Sequence, residues 1–310
     1  MKYNWILFVV LAAALTNVQA QRTVTHGGLP VVSPDGSHIA FVSNRGGGED
    51  DVFVIASDGT NETQLTRTPE EEGYVQWSTD GKQVVFSRLA SGTSRIYAIG
   101  IDGKNEHEIG SVPGSGPIFS PDGRHLVYMA GGSWTATKLM VSEADGSNAH
   151  QINDGTTIAW TNHWAPDGKS IAFTGRKDPK GELAVFVINS DGSGLRQATH
   201  LAAGDGNAQW PVWSPDGRHL AFQVNKLKEK IAHIWIAASV TGEAHQLAAH
   251  DNPHLDETPS WFPDGKRIAF QSNRTGRMEV WVMNVDGSDQ RQLTSAEERL
   301  QPPLQRHVIH

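Results

Sequence analysis

The side chains in this sequence that could hold a ligand or an ion are few, and they come in short groups. Glu72 and Tyr74 make one. Trp160, Thr161, Asn162 and His163 make a second, Asn207, Gln209 and Trp210 a third, and Asp256 and Glu257 a fourth, with His26 ahead of them all. A Trp beside polar side chains suits stacking on a sugar ring or anchoring a protein partner. Glu72, Asn162, Asn207 and Asp256 offer the hard oxygen atoms that calcium takes. The alternative for each is a solvated loop side chain bonded to its own turn. His245, His250 and His254 form a further cluster, with Asp251 between the last two. Two imidazoles four apart converge on a helix, but Pro253 disfavours one, and a metal needs three or four convergent ligands. No metal ligand is therefore assigned. No cofactor is expected, and calcium is the ion that the oxygen set would suit.

Nucleophilic chemistry has no support. The chain has no Cys, no Gly-x-Ser-x-Gly elbow, no His-Glu-x-x-His and no Walker-type phosphate loop. No catalytic residue is assigned, and the chain reads as a binding protein more than as an enzyme. A net charge of −8 argues against a nucleic-acid partner, which needs a basic face. Without Cys the fold owes nothing to disulfides.

The elements that must position these groups are set by a repeat. Ser33-Pro34-Asp35-Gly36 returns in variant form, with glycines at Gly36, Gly81, Gly123, Gly168, Gly217 and Gly265. Three positions past each glycine comes Ile39, Val84, Leu126, Ile171, Leu220 or Ile268, and five past it Phe41, Phe86, Tyr128, Phe173, Phe222 or Phe270. That period-2 spacing puts both residues on one face of a strand. A second strand signal follows around Phe53, Tyr97, Met140, Phe186, Trp235 or Trp281, then a Gly turn. Strand-and-turn repeats of about 40 to 50 residues predict a propeller rather than a helical solenoid. The expectation is an all-β chain, a six-bladed β-propeller of four-stranded antiparallel blades. Trp77, Trp164, Trp213 and Trp261 stand in register before the turns, and Trp235 and Trp281 lie on strands, so all six are expected in the core. Trp134, Trp160 and Trp210 are out of that register.

The pattern Pro-x-Trp-Ser-Pro-Asp-Gly-x-x-Leu-Ala-Phe over Pro211 to Phe222, repeated with variation over Pro259 to Phe270 and followed by Gln292-Leu293-Thr294, resembles the repeat of the TolB-like six-bladed propeller family. The resemblance covers all six repeats. It implies the propeller fold, and with it a family of periplasmic scaffolds, peptidase-associated propellers and some lyases. The repeats are expected to fill 21–310, without the separate α/β domain that TolB carries ahead of its propeller. Arg22-Thr23-Val24-Thr25-His26 and Arg291-Gln292-Leu293-Thr294 both look like an outermost strand, which leaves two ways to close the ring.

Residues 1–20 read as an export signal. Lys2 precedes an apolar run of 11 residues from Trp5 to Leu15, and Val18-Gln19-Ala20 suits cleavage after Ala20. The run is shorter than the roughly 20 residues that span a bilayer, so the mature chain is expected without a transmembrane segment, periplasmic or secreted. Propellers bind ligands at the mouth of the channel, on loops feeding the innermost strands. The expected site there is Tyr74, Trp160, Asn162, Asn207, Gln209, Trp210, Asp256 and Glu257. Three functions fit: a monomeric scaffold for a periplasmic or envelope protein or polysaccharide, a metal-dependent lyase or lactonase working at the channel, or a carbohydrate-binding propeller using Trp160 and Trp210.

Overall fold

The structure, a computed structural model, describes residues 28–295 apart from 46–47, 111–113, 131–137, 155–157, 179–180, 203 and 248–253. The export segment 1–20, the stretch Arg22–His26, Trp134 and His250 lie outside the described residues.

Each repeat forms one sheet of four strands, consecutive in the chain and antiparallel throughout. Blade one holds β1 (Gly28–Val32), β2 (His38–Ser43), β3 (Asp51–Ala56) and β4 (Thr63–Gln64). Blade two holds β5 (Glu71–Trp77), β6 (Gln83–Ala90), β7 (Thr93–Gly100) and β8 (His107–Glu108). Blade three holds β9 (Ser115–Phe119), β10 (His125–Ala130), β11 (Lys138–Glu143) and β12 (His150–Gln151). Blade four holds β13 (Ile158–Trp164), β14 (Ser170–Arg176), β15 (Ala184–Asn189) and β16 (Arg196–Gln197). Blade five holds β17 (Asn207–Trp213), β18 (His219–Lys226), β19 (Ile231–Ala238) and β20 (Ala244–Gln246). Blade six holds β21 (Asp256–Trp261), β22 (Arg267–Ser272), β23 (Glu279–Asn284) and β24 (Arg291–Gln292).

The first strands β1, β5, β9, β13, β17 and β21 touch their neighbours in turn, with β21 meeting β1, so they form the inner ring. The turn from first to second strand carries the repeated dipeptide. Its glycines have φ between 65° and 73°, the left-handed region that only Gly enters without strain. The Asp before each fixes the turn. Asp35 accepts the Ser33 hydroxyl at 2.6 Å and the Ser37 amide at 2.9 Å, and these bonds hold its carboxyl down at about 2.

Blades pack large on small. The residues three and five past the glycine are fully buried and press on the preceding blade, where the residue four past the glycine is short. Ile39 and Phe41 meet Ala269, Val84 and Phe86 meet Ala40, and Leu220 and Phe222 meet Ala172. The same large residue pairs across strands with the aromatic of the third strand: Phe41 with Phe53, Phe86 with Tyr97, Phe173 with Phe186, Phe222 with Trp235, Phe270 with Trp281. Trp77, Trp164 and Trp213 are buried as expected, while Trp235, Trp261 and Trp281 are only half-buried at the edges of their clusters.

The Gln-Leu-Thr that ends a repeat has a physical reason too. Thr66, Thr199 and Thr294 each accept the amide that opens the run of the third strand, from Val52, Val185 and Val280 at 2.8, 3.0 and 2.9 Å. These bonds occupy edge donors on a strand whose outer neighbour is only two residues long.

One of the two candidate closing segments is placed among the described residues. Arg291–Gln292 pairs with β23 inside blade six, and among the described residues blades one and six share no strand. Their seam is side-chain packing: Val32, Ile39, Phe41, Phe53 and Ile55 form one cluster with Phe262, Ala269, Val280 and Val282. Phe41→Ala should therefore cost about 3–5 kcal/mol, as a fully buried Phe does elsewhere in the ring. Urea unfolding of this variant beside Phe222→Ala checks it. A much smaller loss for Phe41 would mean a loose seam.

Candidate functional site

Every innermost strand is interrupted at the same place. The pairing of the first and second strands slips between Gly28 and Val31, Gly73 and Gln76, Trp160 and Asn162, Gln209 and Val212, and Glu257 and Ser260, and β9 slips likewise against β10. At each bulge one residue takes a left-handed conformation: Leu29 (52°), Tyr74 (51°), Gly116 (62°), Thr161 (40°), Trp210 (56°) and Thr258 (51°). Such strain in a non-glycine residue persists only where its surroundings hold it. Pro30, Pro117, Pro211 and Pro259 follow four of these residues, where a missing N–H leaves no donor stranded.

The holding device is a side chain six past the turn glycine of the preceding blade. Ser87 Oγ accepts the amide of Gly116 at 3.2 Å, and Met129 Sδ that of Thr161 at 3.0 Å. Thr174 Oγ1 accepts that of Trp210 at 3.0 Å, and Gln223 Oε1 that of Thr258 at 2.8 Å. Gln271 Oε1 accepts that of Leu29 at 2.8 Å, so the same latch spans the seam between blades six and one. The residue in this place in blade one is Val42.

The bulges point side chains to the axis. Residues of all six inner strands, among them Tyr74, Thr161, Asn162, His163, Trp210 and Thr258, line one central cavity of about 70 Å³. Tyr74 of blade two and Trp210 of blade five reach across it and stack, with centroids 5.7 Å apart and planes 17° from parallel. Asn162 donates to the Gly116 carbonyl at 3.1 Å, from blade four to blade three. A Cβ on Gly116 would come within 2.7 Å of the Met129 methyl, so no side chain fits at this bulge.

The cavity is dry enough to move titrations. Burial drives His163 down to about 4, although its contact with the Trp164 carbonyl favours the charged form. That contact, Nδ1 to oxygen at 2.9 Å, places the single ring proton on Nδ1, since a carbonyl only accepts. Burial also pushes the Tyr74 phenol up, with Glu71 adding to it. Glu257 is raised by burial and by Asp256, against the pull of a 3.0 Å bond from Gln271.

The eight expected residues lie on the innermost strands, not on loops before them. A strand gives each residue fixed neighbours, and those neighbours separate the group. Tyr74, Asn162 and Trp210 share the cavity. Asn207 accepts the Leu183 amide of the neighbouring blade at 2.8 Å, so it braces two blades. Gln209 accepts from Asn225 at 3.1 Å, which accepts from the same Gln223 that latches Thr258. Trp160 lies under the guanidinium of Arg176, 5.7 Å from its centroid. Glu72 is buried against Thr66, Thr68 and Arg88, at 2.6, 2.7 and 2.9 Å, and burial raises its pKa in spite of them. Glu72, Asn162, Asn207 and Asp256 thus each hold a separate set of partners, which is not the convergent set calcium requires.

Asp256 belongs to a different group. Arg274 donates to both its oxygens at 2.8 Å, and His254 Nε2 lies 3.1 Å from Oδ2. His233 joins them from β19, its ring 6.0 Å from that of His254 and nearly perpendicular. The histidine cluster read from the sequence is therefore broken up: His245 sits on the exposed β20, and His254 meets His233 in its place. No sequence spacing joins His233 to His254, because the pair forms only where blade five meets blade six.

Six like interruptions, five of them latched by a side chain of the blade before, are the mark of one repeat used six times. The profile of the TolB beta propeller domain matches residues 8–134 and 131–306. The chain belongs to the TolB beta-propeller domain family. An uncharacterised protein of Agrobacterium fabrum is 26% identical over 199 residues, 62% of this chain and 67% of that protein. The Tol-Pal system protein TolB of Nitratidesulfovibrio vulgaris is 31% identical over 101 residues, 31% of this chain and only 22% of that TolB. Among solved structures, TolB of Acinetobacter baumannii superposes with TM-score 0.70 at 18% identity, over 84% of this chain and 64% of that one. An oligogalacturonate lyase in complex with manganese superposes with TM-score 0.60 at 18% identity, over 87% and 77%. At such identities the two structures share the fold.

The TolB-family channel described here makes His163 a reporter. It should stay neutral down to about pH 4, so folding stability falls as pH drops from the free-histidine value near 6.5 toward 4. Trp210→Ala should admit water and move the His163 titration up toward 6.5. NMR titration of the ring checks both, and a wild-type midpoint near 6.5 would show a wet channel.

Proposed function

We propose that this chain is an exported protein-binding scaffold of the bacterial envelope, and that it binds on one face of the ring rather than in the channel. The observation that carries this reading is the filled axis. The central cavity holds about 70 Å³, whereas small-molecule sites run to about 300–1,000 Å³. Trp210 gives a ring face to Tyr74 and Trp160 one to Arg176, which leaves a poorer platform for a sugar than two open rings would.

The face that carries the starts of the inner strands has two long-paired hairpins. β6 and β7 of blade two and β18 and β19 of blade five are eight residues each, longer than the second and third strands of the other blades. Blades two and five are opposite one another in a ring of six, so their hairpins, paired almost to the tip, lie on either side of the channel mouth. Each carries an exposed apolar residue near its tip, Leu89 and Leu227, 45% and 37% exposed. Exposed apolar groups set among charged neighbours such as Lys226, Lys228 and Lys230 suit a polypeptide lying between the hairpins. Two relatives of this chain carry the name TolB, one of them as a Tol-Pal system protein, which favours an envelope protein as the partner. Among the described residues no helix is long and apolar enough to cross a membrane.

Photo-crosslinkers at positions 89 and 227 should capture the same envelope protein. A crosslinker at Val240, 89% exposed on the opposite face, should not. Leu89→Asp with Leu227→Asp should reduce capture at least tenfold while leaving the melting temperature unchanged. Equal capture from position 240 would overturn the assigned face.

A further inference from the structure

We propose that His233, His254 and Asp256 form a site for a divalent transition-metal ion, with zinc as the best match, which clips blade five to blade six. The backbone already joins the two blades here. The Ala232 amide donates to the His254 carbonyl at 3.2 Å, and Ala232 bridges Leu255 in parallel. One potential ligand atom from each of the three side chains lies within 4.8 Å of the other two. His254 Nε2 and Asp256 Oδ2 are 3.1 Å apart, close to the edge of a zinc tetrahedron, since zinc bonds of about 2.0–2.2 Å separate their ligand atoms by roughly 3.3–3.6 Å. The widest pair has to close by about an ångström, which rotation of the half-buried His233 ring supplies.

The donor set selects the class of ion. Two imidazoles and one carboxylate suit zinc and its neighbours, whereas calcium and magnesium prefer oxygen alone. Three protein ligands leave the fourth position to water. Arg274 does not compete for the ion. It donates to Asp256 while stacked on Trp281, 4.6 Å from that ring, and a ligating carboxylate is ordinarily held by such an outer donor. The carboxylate has about four lone-pair sites, enough for both. His254 and Asp256 are buried, with side chains 7% and 6% exposed, so the ion would sit inside the blade junction, with His233 at its open side.

An ion held by both blades and absent from the unfolded chain stabilises the ring by linkage. The site uses none of the residues assigned to the binding face, so it stands or falls separately from it. The test is calorimetric titration of chelator-stripped chain with zinc, and with calcium for comparison, alongside thermal melting. One zinc per chain is expected, with a raised melting temperature and no competition from calcium. His233→Gln and His254→Gln should each weaken zinc binding at least about tenfold, and X-ray absorption should show two imidazole nitrogens. His245→Gln, on an exposed outer strand, should change nothing. Absence of stoichiometric zinc, zinc binding that survives in His233→Gln, or an equal loss in His245→Gln would overturn the proposal. His233 is only half-buried, so its variant remains informative if His254→Gln fails to fold.

Discussion

A blade of four strands has two apolar faces and can cover neither by itself. That constraint shapes the rest of the molecule. Each second strand presents an aliphatic residue and an aromatic one, Phe or Tyr, on one side and Ala or Val on the other, so a large pair meets a shorter residue of the blade before it. Interiors packed at crystal density tolerate this only if volumes match at every junction, which is why the pattern holds through all six repeats. With every blade contiguous in sequence, the last junction has no covalent advantage over the others. It is held by the same large-on-small packing and the same bulge latch.

The latch links packing to the site. Each inner strand carries a bulge at the axis, and an acceptor from the preceding blade holds its amide except at Tyr74, where that place is Val42. Five of the six bulges are described with that bond. The consequence is a narrow axis crossed by Tyr74 and Trp210, in which His163 stays neutral well into acid. The proposed binding face lies at the rim, where the paired strands of blades two and five run longest.

Much of this fold was legible in the sequence, because its rules are local. The Pro-Asp-Gly turn, the residues three and five past it and the cross-strand aromatics need only period-2 spacing to be read. The site was legible in part. Tyr74, Asn162 and Trp210 do converge, but Asn207 and Gln209 serve as inter-blade braces, and nothing in a single repeat says which neighbour they meet. The bulge had a signal, the Pro at 30, 117, 211 and 259 placed two before the end of an inner strand run, where an unbroken ladder would need a donor. The His233–His254 contact had none, since it depends on the angle between two blades.

Native-state hydrogen exchange at single-residue resolution tests the ring directly. If the latch and packing that join blades four to six also close the seam, the Leu29 amide there should open with the same free energy as the Trp210 and Thr258 amides, all in the global unfolding event. A Leu29 amide that exchanges by a separate, lower-energy opening of blades one and six would contradict a seam held by that latch and packing.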